Sequence, residues 1–552
     1  MIADIHITEK SFGDKTLMKD VKFSVDDGEK VGVVGRNGVG KSTLFGILSG
    51  KDTDYTGEVI FRRGITVATT AQEHHGLGDQ TVMSYILGGL PEYSKLKKII
   101  DEYPLTMGDN MRKIEEYTQA LERFDQKGFY QVEEKIEREL SNFQLDGYGN
   151  RRISSLSGGQ KRLVEIVKIM HSEAHLALID EPTNHMDYVA KQQFIDWMNS
   201  QPHQAMLIIT HDRDVLGQVD RIVEIKDGQA VSYRGNYDAY LKQNAQATTA
   251  GMNNFEQIEK RIVNLKQKVL DYQRLKEKSR NPGTIQKFKR LENEARAELA
   301  ELSEMEKPTF WIDKESASQL DYKSAERYGK FKSRNIRLSM KDASSRSQHV
   351  LVRAENVTVG IGERILFEDV NIDLREGEAI EIRGRNGAGK TTLIRMILAS
   401  GKSFDGGPIL YSGDIFLDPQ VRIGVYEQEI DERYLSDPLE KAIEKLYMSR
   451  DLSISDTKIR QLLADYLFTD ADRMTPLARL SGGQKARFQI IAMLANDPQL
   501  LVLDEPTNHL DLPSIEELET ALAKYSGAIL YVSHDNYFRE KLGGKVVQIG
   551  AE

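Results

Sequence analysis

Cysteine is absent from the 552 residues, so this chain can form neither a disulfide nor a thiolate metal site. That fits an enzyme of a reducing compartment without requiring one. No run of 18 apolar residues occurs, which excludes a membrane-spanning helix. The opening stretch MIADIHITEKSFGDK has no apolar segment of the signal-peptide kind. The expectation is a cytoplasmic protein with no membrane partner. Positive charge is also short, with 75 Lys and Arg against 85 Asp and Glu, a net charge of −10. On average that argues against a nucleic-acid partner.

The distribution of charge reverses this average. Residues 242–346 hold 23 basic and 15 acidic side chains, a net of +8, which leaves −18 for the rest. From Lys260 to Arg290 there are 11 basic residues and two acidic ones, Asp271 and Glu277. A basic middle therefore joins two acidic lobes, a pattern that points to a polyanion met by the middle segment. The remaining composition, 39% hydrophobic and 29% charged, is that of an ordinary globular protein. The length suggests roughly three or four domain-sized units at about 150 residues each.

The lobes repeat one motif. Residues 155–187 read SLSGGQKRLVEIVKIMHSEAHLALIDEPTNHMD, and residues 479–511 read RLSGGQKARFQIIAMLANDPQLLVLDEPTNHLD. In each, LSGGQ opens a helical stretch and four apolar residues (176–179, 500–503) lead into two carboxylates, as a buried parallel strand would. Upstream lie Gly35-Arg36-Asn37-Gly38-Val39-Gly40-Lys41-Ser42 and Gly384-Arg385-Asn386-Gly387-Ala388-Gly389-Lys390-Thr391. Both match the phosphate loop G-x-x-x-x-G-K-[ST]. Its glycines let backbone N–H groups close around phosphate oxygens where a Cβ would clash. In this motif Lys41 and Lys390 meet the β/γ-phosphates, and Ser42 and Thr391 meet Mg²⁺. An isolated match is often only a glycine-rich turn, but two matches with two paired carboxylate strands are not.

These paired motifs resemble the ATP-binding-cassette ATPases in duplicate. Without a membrane segment, the chain resembles their ABC-F branch, soluble twin-cassette ATPases that act on ribosomes. The resemblance implies an α/β fold with two P-loop nucleotide-binding domains, at 1–245 and 347–552. They are joined by a helical coiled-coil hairpin linker at 246–346 with its tip near 280–284. It implies ATP as ligand with Mg²⁺, and a monomer whose two cassettes pair with each other.

Residue by residue, the implied nucleotide set is Phe12, Gly35, Asn37, Gly38, Gly40, Lys41, Ser42 and Thr43, with Gly384, Asn386, Gly387, Gly389, Lys390, Thr391 and Thr392 in the second half. Across the interface stand Ser157, Gly158, Gly159 and Gln160, and Ser481, Gly482, Gly483 and Gln484. Site one joins the phosphate loop of the first cassette to LSGGQ of the second, and site two is the reverse. The metal positions are Ser42, Gln72 and Asp180, and Thr391, Gln428 and Asp504. The hydrolytic set is Glu181, His211 and Gln72, and Glu505, His534 and Gln428. Phe12 lies 29 residues before Lys41, where the family places a ring under adenine, but Ile361 holds that position in the second half. An aliphatic side chain cannot stack as an aromatic does, so base discrimination is expected to be weaker there.

Two further stretches set this chain apart from a bare pair of cassettes. Gln72 and Gln428 lie 356 positions apart, whereas Glu181 and Glu505 lie 324 apart, so the first half carries 32 extra residues before LSGGQ. The stretch Tyr93–Leu140 is charged and helical in pattern, with a break at Met107-Gly108-Asp109-Asn110. By resemblance it is the ABC-F arm, which touches the ribosome near the tRNA exit site. An enlarged helical subdomain is the other reading.

In the linker, Phe255, Ile258, Ile262, Leu265, Val269, Tyr272 and Leu275 recur at steps of three and four. Arg280-Asn281-Pro282-Gly283 breaks the pattern, and Phe288, Leu291, Ala295, Leu299, Leu302 and Met305 resume it. Residues 309–345 lack a period and are expected as a partly extended return path. By resemblance this linker meets large-subunit rRNA and the P-site tRNA. A transporter ATPase subunit and a DNA-associated ATPase are the alternative functions. Within the ribosomal reading, antibiotic-resistance protection and a translation elongation role stay open.

Overall fold

The computed structural model describes residues 1–12, 15–70, 79–106, 108, 110–184, 186–305, 307–318, 320, 322–338, 349–362, 364–402, 407–427 and 430–550. Two compact units result, one of Met1–Tyr237 with Ile336–Glu552, the other of Asp238–Asn335. The first unit holds both cassettes.

Each cassette pairs a small antiparallel sheet with a larger, mainly parallel one. In the first, the strands Ala3–Phe12, Lys15–Val25 and Thr56–Phe61 form the small sheet, and a six-stranded sheet runs beside it. The strands Leu176–Asp180, Ala205–Ile209 and Lys30–Gly35 are neighbours in parallel register. All five residues of Leu176–Asp180 are buried, as they are in Leu500–Asp504 of the second cassette. Burial on both faces explains the unbroken apolar run before the carboxylates. The second cassette repeats the plan with a three-stranded and a fully parallel five-stranded sheet. Ile5, Ile7 and Val21 from the small sheet meet Val31, Val33 and Leu207 from the large one, together with Leu44 and Leu48 from the helix Lys41–Leu48. The phosphate loop therefore hangs from a rigid strand and enters a packed helix.

The extra residues of the first half form the helices Tyr93–Thr106 and Met111–Gln126. Tyr93, Leu96, Ala120 and Phe124 bury into the same core as Ile136, Leu140 and Phe143, so the inner part of this helix pair belongs to the helical subdomain. Its outer end leaves Leu105 and Met111 exposed. Asn110 caps the second helix by accepting from the Lys113 N–H. Met107 and Asp109 of the predicted break lie outside the described residues.

In the second unit, a 42-residue helix, Tyr237–Lys278, turns back through Ser279–Asn281 into Pro282–Ser303. Leu265, Val269 and Ala295 are buried between the two helices, with Tyr272, Leu299 and Leu302 against them. The two ends of the predicted seam depart from it. Leu275 and Met305 are exposed, and Phe255 packs edge-on to Phe331 at 5.7 Å instead. The return path is less extended than expected, because Tyr322–Phe331 is helical and seats Tyr328 and Phe331 against Met252 and Ile312. Aromatic burial drives that helix, although its charged residues obscure the period. Among the described residues no helix is long and apolar enough to cross a membrane.

Candidate nucleotide sites between the cassettes

Glycine at the phosphate loops is a backbone requirement. Gly40 (φ 100°) and Gly389 (φ 96°) are the left-handed residues that start the helices carrying Lys41 and Lys390. A Cβ on Gly35 would lie 2.6 Å from the Ile225 carbonyl oxygen. The Lys41 ammonium donates to the carbonyls of Gly35 (2.7 Å) and Arg36 (3.1 Å), and Lys390 does the same to Gly384 (2.9 Å) and Arg385 (3.1 Å). Each lysine is thus folded over its own loop.

The hydroxyls that follow are paired with the first carboxylate of each strand end. Ser42 Oγ donates to Asp180 Oδ2 at 3.2 Å, and Thr391 Oγ1 to Asp504 Oδ2 at 2.7 Å. Asp504 Oδ1 is buried and has no hydrogen-bond partner among the described residues. A hydroxyl beside a spare carboxylate oxygen is the hard-oxygen set that suits Mg²⁺. Among the described residues no cluster of three or more acidic or imidazole side chains could hold a metal alone. Phosphate oxygens of a nucleotide would have to complete the shell.

The second carboxylates are unusual in backbone and charge. Glu181 (φ 47°) and Glu505 (φ 53°) adopt the left-handed conformation that costs non-glycine residues about 1–3 kcal/mol. Their N–H groups are held by the carbonyls of Ile209 (2.7 Å) and Val532 (3.0 Å) on the adjacent strands. Burial, and then the neighbouring aspartate, pushes Glu181 up to about 8. Burial also raises Glu505, to about 7, against the pull of Lys390. His211 Nε2 lies 3.4 Å from Glu181, and His534 Nε2 lies 3.3 Å from Glu505. Burial and then the loop lysine depress both imidazoles to about 3, so they are neutral at physiological pH.

The cassettes interlock. At site one the Asn37 N–H donates to Asp511 Oδ2 (3.0 Å), and its side-chain amide donates to the His509 carbonyl (2.9 Å). A Cβ on Gly483 would fall 1.9 Å from Asn37 Nδ2, so the second LSGGQ touches the first phosphate loop. At site two the Asn386 N–H donates to Asp187 Oδ2 at 3.0 Å. A cavity of about 1110 Å³ is lined there by Ser157–Gln160 of one cassette and by Asn386, Gly387, Gly389, Lys390, Thr391 and Thr392 of the other, with Glu505 and His534. Ser157 and Ser481 each cap their helix in a reciprocal box with Gln160 and Gln484. Each serine accepts from a backbone N–H, which leaves its own proton available to a ligand.

A family model described as ABC transporter matches residues 18–184 and again 367–508. Three relatives span nearly the whole chain. "Putative ATP-binding protein YdiF" of Bacillus subtilis is 30% identical over 100% of this chain and 80% of its own length. "ABC transporter F family member 2" of Arabidopsis thaliana is 29% identical over 98% and 75%. The chain belongs to the ABC-F family. "Ribosome protection protein VmlR" of Bacillus subtilis, 27% identical over 96% of this chain and 83% of its own, is a further relative.

This ABC-F protein is an ATP hydrolase. Gln72 and Gln428 lie outside the described residues. Phe12 is exposed, with the Lys10 ammonium 4.7 Å over its ring, while Ile361 lines the site-two cavity beside Arg364 and Leu366. Sequence reading passed over Asp187 and Asp511, which grip the opposite phosphate loops. Their signal was present, since each closes the repeated motif six residues after the glutamate. Lys191 and Asp214 left no such signal, since Ile515 and Tyr537 hold the matching positions of the second half.

Proposed function

We propose that this ABC-F protein is a ribosome-associated ATPase that works near the tRNA exit site. Its segment 246–346 meets large-subunit rRNA and the P-site tRNA. The supporting observation is the hairpin surface. Of the 11 basic residues between Lys260 and Arg290, all except Lys276 are exposed. A helical pair of this charge suits a phosphate backbone, and the relative VmlR carries ribosome protection in its name. Antibiotic protection and a translation elongation role are the two tasks this reading includes.

In this reading Lys41 and Lys390 leave their loop carbonyls for the β/γ-phosphates. Ser157 with Gly159, and Ser481 with Gly483, then close over the nucleotide from the opposite lobe. Mg²⁺, when held by Ser42 and Asp180 or by Thr391 and Asp504 with Gln72 or Gln428, supplies charge neutralisation at the phosphates. Glu181 and Glu505 orient the attacking water and take its proton, and elevated pKa values suit a base that works near neutrality. The neutral His211 and His534 hold these carboxylates and face the γ-phosphate. Nucleotide binding draws the lobes together, hydrolysis releases them, and the hairpin carries the motion to the ribosome.

The test exchanges exposed charge and spares Lys276, whose ammonium pairs with the buried Glu292 at 2.6 Å. Reversing Arg274, Lys278, Arg280, Lys287 and Lys289 to Glu is expected to abolish co-sedimentation with ribosomes at physiological salt and to leave basal ATPase intact. Unchanged association would reject the reading, and retention of the wild type on DNA rather than on ribosomes would favour a DNA-associated ATPase.

A further inference from the structure

A buried lysine crosses from one cassette to the other in one direction only. Lys191 sits in the first turn of the helix Tyr188–Ser200 and is 4% exposed. Its ammonium donates to Asp214 Oδ2 at 2.5 Å and lies 3.3 Å from Asp212 Oδ2, both just beyond His211 in its own cassette. It also donates to the backbone carbonyl of His534 in the other cassette at 2.9 Å. The His534 N–H in turn donates to Glu505 Oε2 at 3.1 Å. A continuous path thus runs from Asp212 and Asp214 of cassette one, through one ammonium and one peptide unit, to Glu505 of site two. Asn536 adds to the same junction by donating to Asp214 Oδ2 at 2.7 Å.

Among the described residues the repeat places no lysine at the mirror position of this path. Lys191 follows Glu181 by ten residues, and ten residues after Glu505 stands Ile515. Ile515 is 2% exposed and lines the same cavity as His211, but it has no group to donate. An ammonium that satisfies two carboxylates and a carbonyl across an interface fixes geometry that an aliphatic side chain leaves loose.

We propose that Lys191 is a positioning residue that couples the two sites asymmetrically. It holds the His534–Glu505 pair ready for hydrolysis at site two and makes that readiness depend on the segment that follows His211 at site one. Site one has a different contact across the cassettes, in which Arg213, two residues past His211, donates to Glu519 Oε1 at 2.8 Å, and Ile515 offers no ammonium to the His211 peptide. This rests on the reading of Glu181 and Glu505 as the hydrolytic carboxylates.

The test uses the full chain with one live site at a time, Glu181→Gln leaving site two and Glu505→Gln leaving site one. Lys191→Met is expected to lower kcat at site two roughly ten- to a hundredfold, the worth of one charged hydrogen bond. KM for ATP and the rate at site one should stay within about twofold, and Lys191→Arg should restore much of the lost rate. If burying two unpaired aspartates prevents folding, Lys191→Met with Asp212→Asn and Asp214→Asn keeps a neutral junction and is expected to give the same site-two defect. Equal losses at both sites, or none at site two, would overturn the proposal. Wild-type turnover in Glu181→Gln with Glu505→Gln would instead overturn the glutamate assignment beneath it.

Discussion

At the scale of single residues the two glutamates give a pH signature. Each is held above an ordinary carboxylate by burial, Glu181 at about 8 and Glu505 at about 7. A base must be deprotonated, so kcat/KM should rise with pH and level off once the free-enzyme pKa is passed. With only site one active the plateau is expected above pH 8, and with only site two active about one unit lower. The neutral histidines, near 3, do not titrate in this window. A flat profile from pH 6 to 9 at either site would remove that glutamate as its base. The same shifts bear on stability. A carboxyl raised above its unfolded value favours folding at low pH, and that contribution is lost as pH rises toward 8. Glu181→Gln should therefore raise the Tm more at pH 8.5 than at pH 6.

The adenine side offers a second residue-scale contrast. By resemblance Phe12 is the adenine-stacking ring of site one, and Ile361 holds the matching position in the second half. A stacking contact is worth about 1 kcal/mol, so Phe12→Ala should weaken ATP at site one about five- to tenfold. Ile361→Ala should change site two little. Equal losses, read with fluorescent ATP analogues in single-site variants, would reject this asymmetry.

At the scale of elements the hairpin rests on few contacts. Its buried apolar set is short, and polar contacts across the helices help set its register: Glu292 receives Gln273 and Lys276, and Glu298 receives Arg261. Asn281 caps the second helix by accepting from the N–H groups of Gly283 and Thr284. Asn281→Ala should cost about 1 kcal/mol of hairpin stability, seen as faster amide exchange over 282–290. Unchanged protection there would place the turn's stability elsewhere.

Elements also divide what was legible in the sequence from what was not. The phosphate loops, the carboxylate strands and the paired helices follow from local spacing, since glycine geometry and burial periodicity act within a few residues. Pro282 was read as part of a break, yet it opens the second helix, where its missing N–H goes unneeded. The helix Tyr322–Phe331 escaped notice because its apolar face is two aromatics among charges. The grip of Asp187 and Asp511 on the opposite loops, and the span of Lys191, depend on two cassettes meeting, which no local pattern records.

At the scale of the whole molecule, the proposed function requires that nucleotide held between the cassettes govern attachment to the ribosome. The direct measurement is co-sedimentation of Glu181→Gln with Glu505→Gln, with ATP or ADP present, alongside in vitro translation. The amide keeps the carboxylate's shape but takes no proton, so turnover should fall by about 10²–10⁴-fold. The account predicts that the variant pellets with ribosomes in ATP, stays in solution in ADP and arrests translation. A silent ATPase that pellets equally in ATP and ADP, or in neither, would contradict it.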